Sequence, residues 1–145
     1  MVIEAIPEIL QLKISIFGQL QKIMRDDCIL ATNSSSFNSR EMIQNVEKRN
    51  RVLNTHYYIP PEKRCVELMS CGFTDPAIID FLMEKTKTVG FIPIHVKKAS
   101  TGLIFNRIWA AVKRESLSVL SEGVGSADDI DVLFKDFLLS EERPV

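Results

Sequence analysis

The chain has 145 residues, 46% of them hydrophobic and 26% charged, with a net charge of −1. That balance suits a globular chain of one domain, or one domain and part of another, and it excludes the strongly basic footprint of a nucleic-acid binder. No apolar run nears the roughly 18 residues of a membrane span, and the first residues lack the basic region and cleavage site of a signal peptide.

In chain order, residues 2–6 are short, apolar and β-branched, closed by Pro7, which predicts a buried strand. Apolar residues at Ile9, Leu12, Ile16, Leu20 and Ile23 recur every three or four positions, so 8–24 reads as an amphipathic helix. A second strand is expected over 28–32, then a polar loop, Asn33 to Ser36, then a short helix to Val46 capped by Ser39. Strands are expected over 51–58 and 65–69, with Pro60 and Pro61 in the loop between them. Asp75 followed by Pro76 marks a helix start, Gly90 ends that helix, and 91–96 is a fifth strand. Strands alternating with helices argue for a sheet covered by helices.

After Lys97 the pattern changes. A long helix is expected over 102–122, stopped by Gly123, and a second from Ser126 to about Phe137, with Asp128 and Asp129 favourably placed at its start. Two helices without a strand between them suggest the opening of a separate helical domain, hinged at 98–101. The chain starts inside a strand and stops abruptly after 140, so it reads as a portion of something longer.

Cys28, Cys65 and Cys71 show no metal-binding or redox spacing. They read as reduced thiols packed as small hydrophobes, which favours a reducing, intracellular compartment. No metal site is expected. The one G-x-G, at Gly123 and Gly125, follows a helix rather than a strand and is no dinucleotide loop. A G-x-S-x-G nucleophile elbow is absent.

Four polar residues stand out. His56 falls near a strand end, where α/β sheets place ligands, although a histidine beside tyrosines is more often structural. His95 reads as structural. Glu67 lies between Val66 and Leu68 and needs either a partner or water. Beside His56 it would fix the imidazole tautomer and support its protonated form. The hydroxyls around Ser35 could cap a helix or bind a ligand. Asn106 is a poor helix former set among apolar residues and needs a hydrogen-bonding reason.

Taken together these segments resemble the NAD-dependent L-3-hydroxyacyl-CoA dehydrogenases, including a fungal branch of that family. Residues 2–8 look like the family's V-x-E-A-I-x-E, and Lys13 follows Glu8 by five positions as the family's nicotinamide-side lysine does. Residues 33–36 look like its N-T-S-S, 54–60 like its G-x-H-F-F-N-P, and 102–107 like its G-F-I-V-N-R, with 21 positions from Ser35 to His56. The resemblance implies a catalytic set of His56, Glu67, Ser35 and Asn106. In it His56 is the base, Glu67 its partner, and Ser35 and Asn106 hold the substrate oxygen. It implies cofactor contacts at Glu8, Lys13 and Asn33, with NAD as cofactor.

The fold it implies is α/β: the C-terminal half of a Rossmann-type domain over 1–98, followed by the first helices of an α-helical domain over 99–145. The implied reaction is oxidation of a 3-hydroxyacyl-CoA of the fatty-acid β-oxidation type, in a homodimer formed through the helical domain. A free 3-hydroxy acid as substrate, or a non-catalytic binding or dimerisation module, stays open beside it. Three positions depart from the pattern. No strand–G-x-G-x-x-G–helix unit is present, Ile59 stands where the family has asparagine, and the 11 positions from His56 to Glu67 are one fewer than the family's. Without the phosphate-gripping loop, these residues alone are expected not to turn over.

Overall fold

The computed structural model describes residues 1–139, which fall into two compact units, one of Met1–Asn106 and one beginning at Arg107. Residues 140–145, where the sequence looks abrupt, lie outside the described residues.

The first unit is an α/β sheet of five strands in the spatial order β1 (Val2–Glu4), β2 (Leu30–Thr32), β3 (Val52–Tyr57), β4 (Cys65–Ser70) and β5 (Ile92–Val96). All neighbours run parallel except β3 and β4, which are antiparallel. Helix α1 (Leu10–Ile23) and helix α2 (Pro76–Thr88) supply the apolar layers. Successive side chains on a strand face opposite ways. Leu53 therefore joins Ala31, Val66 and Leu68 against Ile78, Ile79 and Leu82 of α2, while Val52 and Leu30 pack with Phe17 of α1, Met42, Ile43 and Val46. Complete burial of Phe17 contributes on the order of 1.5–3 kcal/mol. Gly18 is the residue on α1 that lets the 3₁₀ segment approach: a Cβ there would sit 3.0 Å from the Cβ of Asn45.

Several boundaries differ from the sequence expectation, each for a local reason. Strand β1 stops at Glu4, because the Glu4 carboxylate accepts the Ile6 N–H at 2.7 Å and turns the chain. Helix α1 starts at Leu10, which leaves Glu8 outside it. The short helix expected to Val46 is two 3₁₀ turns, Ser39–Glu41 and Ile43–Asn45, and its cap is Asn38 rather than Ser39. Asn38 accepts from the Arg40 N–H while Glu41 reaches back to the Asn38 N–H, a reciprocal pair that Ser39 cannot make. A third 3₁₀ turn, Arg49–Arg51, precedes β3. The Asp75 cap and Pro76 start hold as expected, with Asp75 accepting from the Ala77 N–H at 2.9 Å. His95 is exposed on β5, an edge strand.

Helix α3 (Phe105–Ser121) begins three residues later than expected. Gly102 and Leu103 both have positive φ, 76° and 50°, so the chain makes a left-handed turn before the helix opens. Leu103 is held there by packing with Met69 and Val96.

In the second unit Gly123, at φ 70°, ends α3, and α4 (Ala127–Leu139) follows. Ser126 and Asp129 close the start of α4 reciprocally, each accepting the other's backbone N–H. Trp109 meets Phe134 edge to face at 6.4 Å. Among the described residues no helix is long and apolar enough to cross a membrane.

Candidate active site

Two polar clusters lie on the α1 face of the sheet, beside the carboxyl ends of parallel strands β1, β2 and β3. This is where open α/β sheets bind ligands.

The first cluster follows from register. His56 on β3 stands directly opposite Glu67 on β4, and opposed residues project from the same face. The imidazole Nδ1 lies 3.2 Å from Glu67 Oε2, with both side chains buried. A carboxylate at Nδ1 selects the Nδ1–H tautomer and leaves Nε2 as an acceptor. Nε2 has no hydrogen-bond partner among the described residues. The other Glu67 oxygen, Oε1, accepts the N–H of Ile104 at 2.9 Å and of Phe105 at 3.2 Å. Glu67 thus caps the start of α3, satisfying N–H groups that a helix leaves open and placing an anion at its positive end.

Asn106 is the second residue of α3, and its Nδ2 donates to the Ser35 carbonyl at 3.4 Å. Ser35 lies half-buried in the loop after β2, and its hydroxyl makes no hydrogen bond among the described residues. That loop is pinned to β3 at two points. Asn33 Oδ1 accepts the Tyr57 N–H at 2.8 Å, next to His56. Asn54 is fully buried, accepts the Ser39 N–H at 2.7 Å and donates to the Phe37 carbonyl at 2.9 Å. Asn54 escaped the sequence reading. Its signal was the two-residue spacing from His56, which puts both polar side chains on one face of a buried strand.

The second cluster surrounds Lys13. Its side chain is 1% exposed. The ammonium donates to Glu4 Oε1 at 2.7 Å and to the Ile6 carbonyl at 3.0 Å, and it pairs with Glu8 Oε2 at 3.0 Å. Glu4 also accepts from the Thr32 hydroxyl at 2.7 Å. Glu8 accepts from the Ser34 hydroxyl and, at 3.1 Å, from the Ser36 N–H. Burial pushes the Glu8 carboxyl up, but the bonds from Ser34, Lys13 and Ser36 and the Lys13 charge outweigh it and hold it below the usual carboxylate range.

Ala5, Ile6, Glu8, Lys13, Asn33, Ser34 and Ser35 line a cavity of about 220 Å³. That is smaller than the roughly 300–1,000 Å³ of pockets that enclose whole drug-sized ligands, so it suits one ring-sized part of a dinucleotide. All three cofactor-side candidates line this cavity. An ammonium has three N–H groups, and those of Lys13 all meet protein acceptors. The lysine therefore acts by shaping the cavity wall.

The fold and the first cluster define an α/β domain of the nucleotide-binding type bearing a histidine–carboxylate dyad. Residues 1–99 match the model of the 3-hydroxyacyl-CoA dehydrogenase NAD binding domain. The chain is 46% identical over 91 residues to a 3-hydroxyacyl-CoA dehydrogenase-like protein of Cochliobolus heterostrophus, covering 63% of this chain and 19% of that protein. It superposes on the (S)-3-hydroxybutyryl-CoA dehydrogenase of Ralstonia eutropha with a TM-score of 0.85 at 32% identity, covering 92% of this chain and 47% of that one. A diketoreductase, described as acting on dicarbonyl compounds, gives 0.87 at 26% identity over 97% of this chain and 50% of its own. The chain belongs to the 3-hydroxyacyl-CoA dehydrogenase family, through the domain that in this family binds NAD. It spans half or less of the length of these relatives.

Proposed function

We propose that this chain carries the proton-handling site of an NAD-dependent dehydrogenase that oxidises a 3-hydroxyacyl-CoA to the 3-ketoacyl-CoA. The observation that carries this reading is the buried His56–Glu67 pair with the imidazole Nε2 open. His56 takes the hydroxyl proton at Nε2 as the C3 hydride leaves, and the oxygen becomes a carbonyl. Glu67 keeps the imidazole in the required tautomer and supports the positive charge it gains. The Ser35 hydroxyl and the Asn106 amide, joined through the Ser35 backbone, hold the reacting oxygen. NAD, when bound, supplies the hydride acceptor. Glu8, Lys13 and Asn33 would form the wall on its nicotinamide side. The three free cysteines fit a reducing compartment, and association through the helical unit would give a homodimer.

The test is formation of NADH from (S)-3-hydroxybutyryl-CoA and NAD, followed by absorbance, in a protein that joins these residues to a strand–G-x-G-x-x-G–helix unit. The expected result is turnover that falls at least about a hundredfold in His56→Ala, the usual worth of a general base. Equal rates in the two proteins would refute the role of His56. Binding of the CoA ester without NADH would instead favour a non-catalytic binding module.

A second reading, oxidation of a free 3-hydroxy acid, draws on the likeness to the diketoreductase. A higher kcat/KM for 3-hydroxybutyrate than for its CoA ester would select it.

A further inference from the structure

Asn106 reaches Ser35 only if the residues just before it are held in place. Of residues 101–106 Leu103 alone is buried, at 2% exposure, while the side chains of Ile104 and Phe105 are exposed. Leu103 also has a left-handed backbone, φ 50°, which a bulky residue rarely adopts. Glycine takes such a φ at no steric cost, and Gly102 does so one position earlier, at 76°. A leucine in a second position that suits glycine is strained and calls for a reason.

The reason lies in its side chain, which packs with Met69 of β4 and Val96 of β5. Met69 stands opposite Val96 and two positions beyond Glu67, so this socket and the Glu67 carboxylate share one face of the sheet. Ser100 closes the turn from the other side. Its carbonyl accepts the Leu103 N–H at 3.1 Å, and its hydroxyl donates to the Leu103 carbonyl at 2.9 Å. The next two residues give their N–H groups to Glu67, and the third is Asn106.

We propose that Leu103 is a positioning residue for Asn106. Its side chain, anchored in the Met69–Val96 socket, holds the left-handed turn that aims the Ile104 and Phe105 amides at Glu67 and the Asn106 amide at the Ser35 loop. The proposal rests on the reading of Asn106 as one half of the oxygen clamp.

A turn that needed only a residue tolerant of positive φ would work as well with glycine. Leu103→Gly therefore separates the two accounts, because it relieves the backbone and empties the socket. NMR on this chain, without cofactor or substrate, follows the amide protons of Ile104 and Phe105, deshielded by the carboxylate, and the side-chain amide of Asn106. In Leu103→Gly both backbone signals should move upfield, and the Asn106 signals should move to those of a water-exposed amide. Leu103→Met refills the socket and should restore all of them.

Leu53 and Leu68, buried on the paired strands β3 and β4, report whether the sheet survives. Should Leu103→Gly disturb them too, Val96→Ala takes its place: it thins the socket without touching the turn, and should shift the same signals by less. Unmoved signals in the variant that keeps the sheet, or a Leu103→Met chain as loose as Leu103→Gly, would overturn the proposal. Turnover plays no part, so a failed dehydrogenase assay and a failed placement of Asn106 are separate results.

Discussion

The two polar clusters of the first unit solve opposite problems with the same kinds of group. Around Lys13, one buried cation is shared by two carboxylates and a carbonyl. Around Glu67, one buried carboxylate is shared by an imidazole and two backbone N–H groups. Lys13 has all three N–H groups engaged, and Glu67 has a donor on each oxygen. The difference is at their outer partners: Lys13 ends on groups that face back into the protein, while His56 keeps Nε2 open. A saturated cation is architecture. An anchored anion beside an imidazole with Nε2 open is the arrangement a general base needs.

The largest expected effect breaks the architecture. Lys13→Met would leave Glu4 and Glu8 facing each other with no cation, and removing one partner of a buried charge set costs about 3–5 kcal/mol. Urea unfolding should show that loss. A Lys13→Met protein with wild-type stability would mean that the cluster is not the strut described. His56→Ala should do the reverse, with the unfolding midpoint nearly unchanged and turnover down about a hundredfold or more. If both variants fail in the same way, the distinction between the hubs collapses.

Asn54→Ala comes next. It leaves the Ser39 N–H and the Phe37 carbonyl without their buried partner, at about 1–3 kcal/mol for each group stranded. KM should rise with it, because the Ser35 loop loses one of its two pins. A stability loss with unchanged kinetics would place that loop outside the site.

The smallest effect is one of pH. The Glu8 carboxyl sits below its ordinary value of 4.5 in the folded chain. A depressed acid contributes stability above its unfolded pKa and loses it as pH falls through the folded one. The clasp to Ser34 and Ser36 should therefore hold from neutral pH to about 4.5 and release only in stronger acid. Amide shifts of Ser34 and Ser36 would follow it, and Glu8→Gln should remove that acid transition.

How far these hubs were legible depended on how local they are. Asp75 and Pro76 act within one helical turn, and their roles match the sequence reading in full. The strand that holds His56 and the need of Glu67 for a partner were also readable, because a carboxylate between Val66 and Leu68 has few options. Asn38 in place of Ser39 was a near miss decided by which side chain reaches Arg40. The Lys13 hub was not legible from spacing. Glu4, Lys13 and Thr32 meet only once β1, α1 and β2 have packed, and no periodicity carries that.

The cap that Glu67 places on α3 has a practical consequence. Phe105 and Ile104 are exposed side chains, and amides at a helix entrance ordinarily trade their hydrogens with water quickly. Here those two amides point at a buried carboxylate. In deuterium they should be the slow pair in a fast neighbourhood, and their protection should vanish in Glu67→Ala. Assembly of the dyad can then be timed by two backbone protons, with neither cofactor nor substrate in the tube.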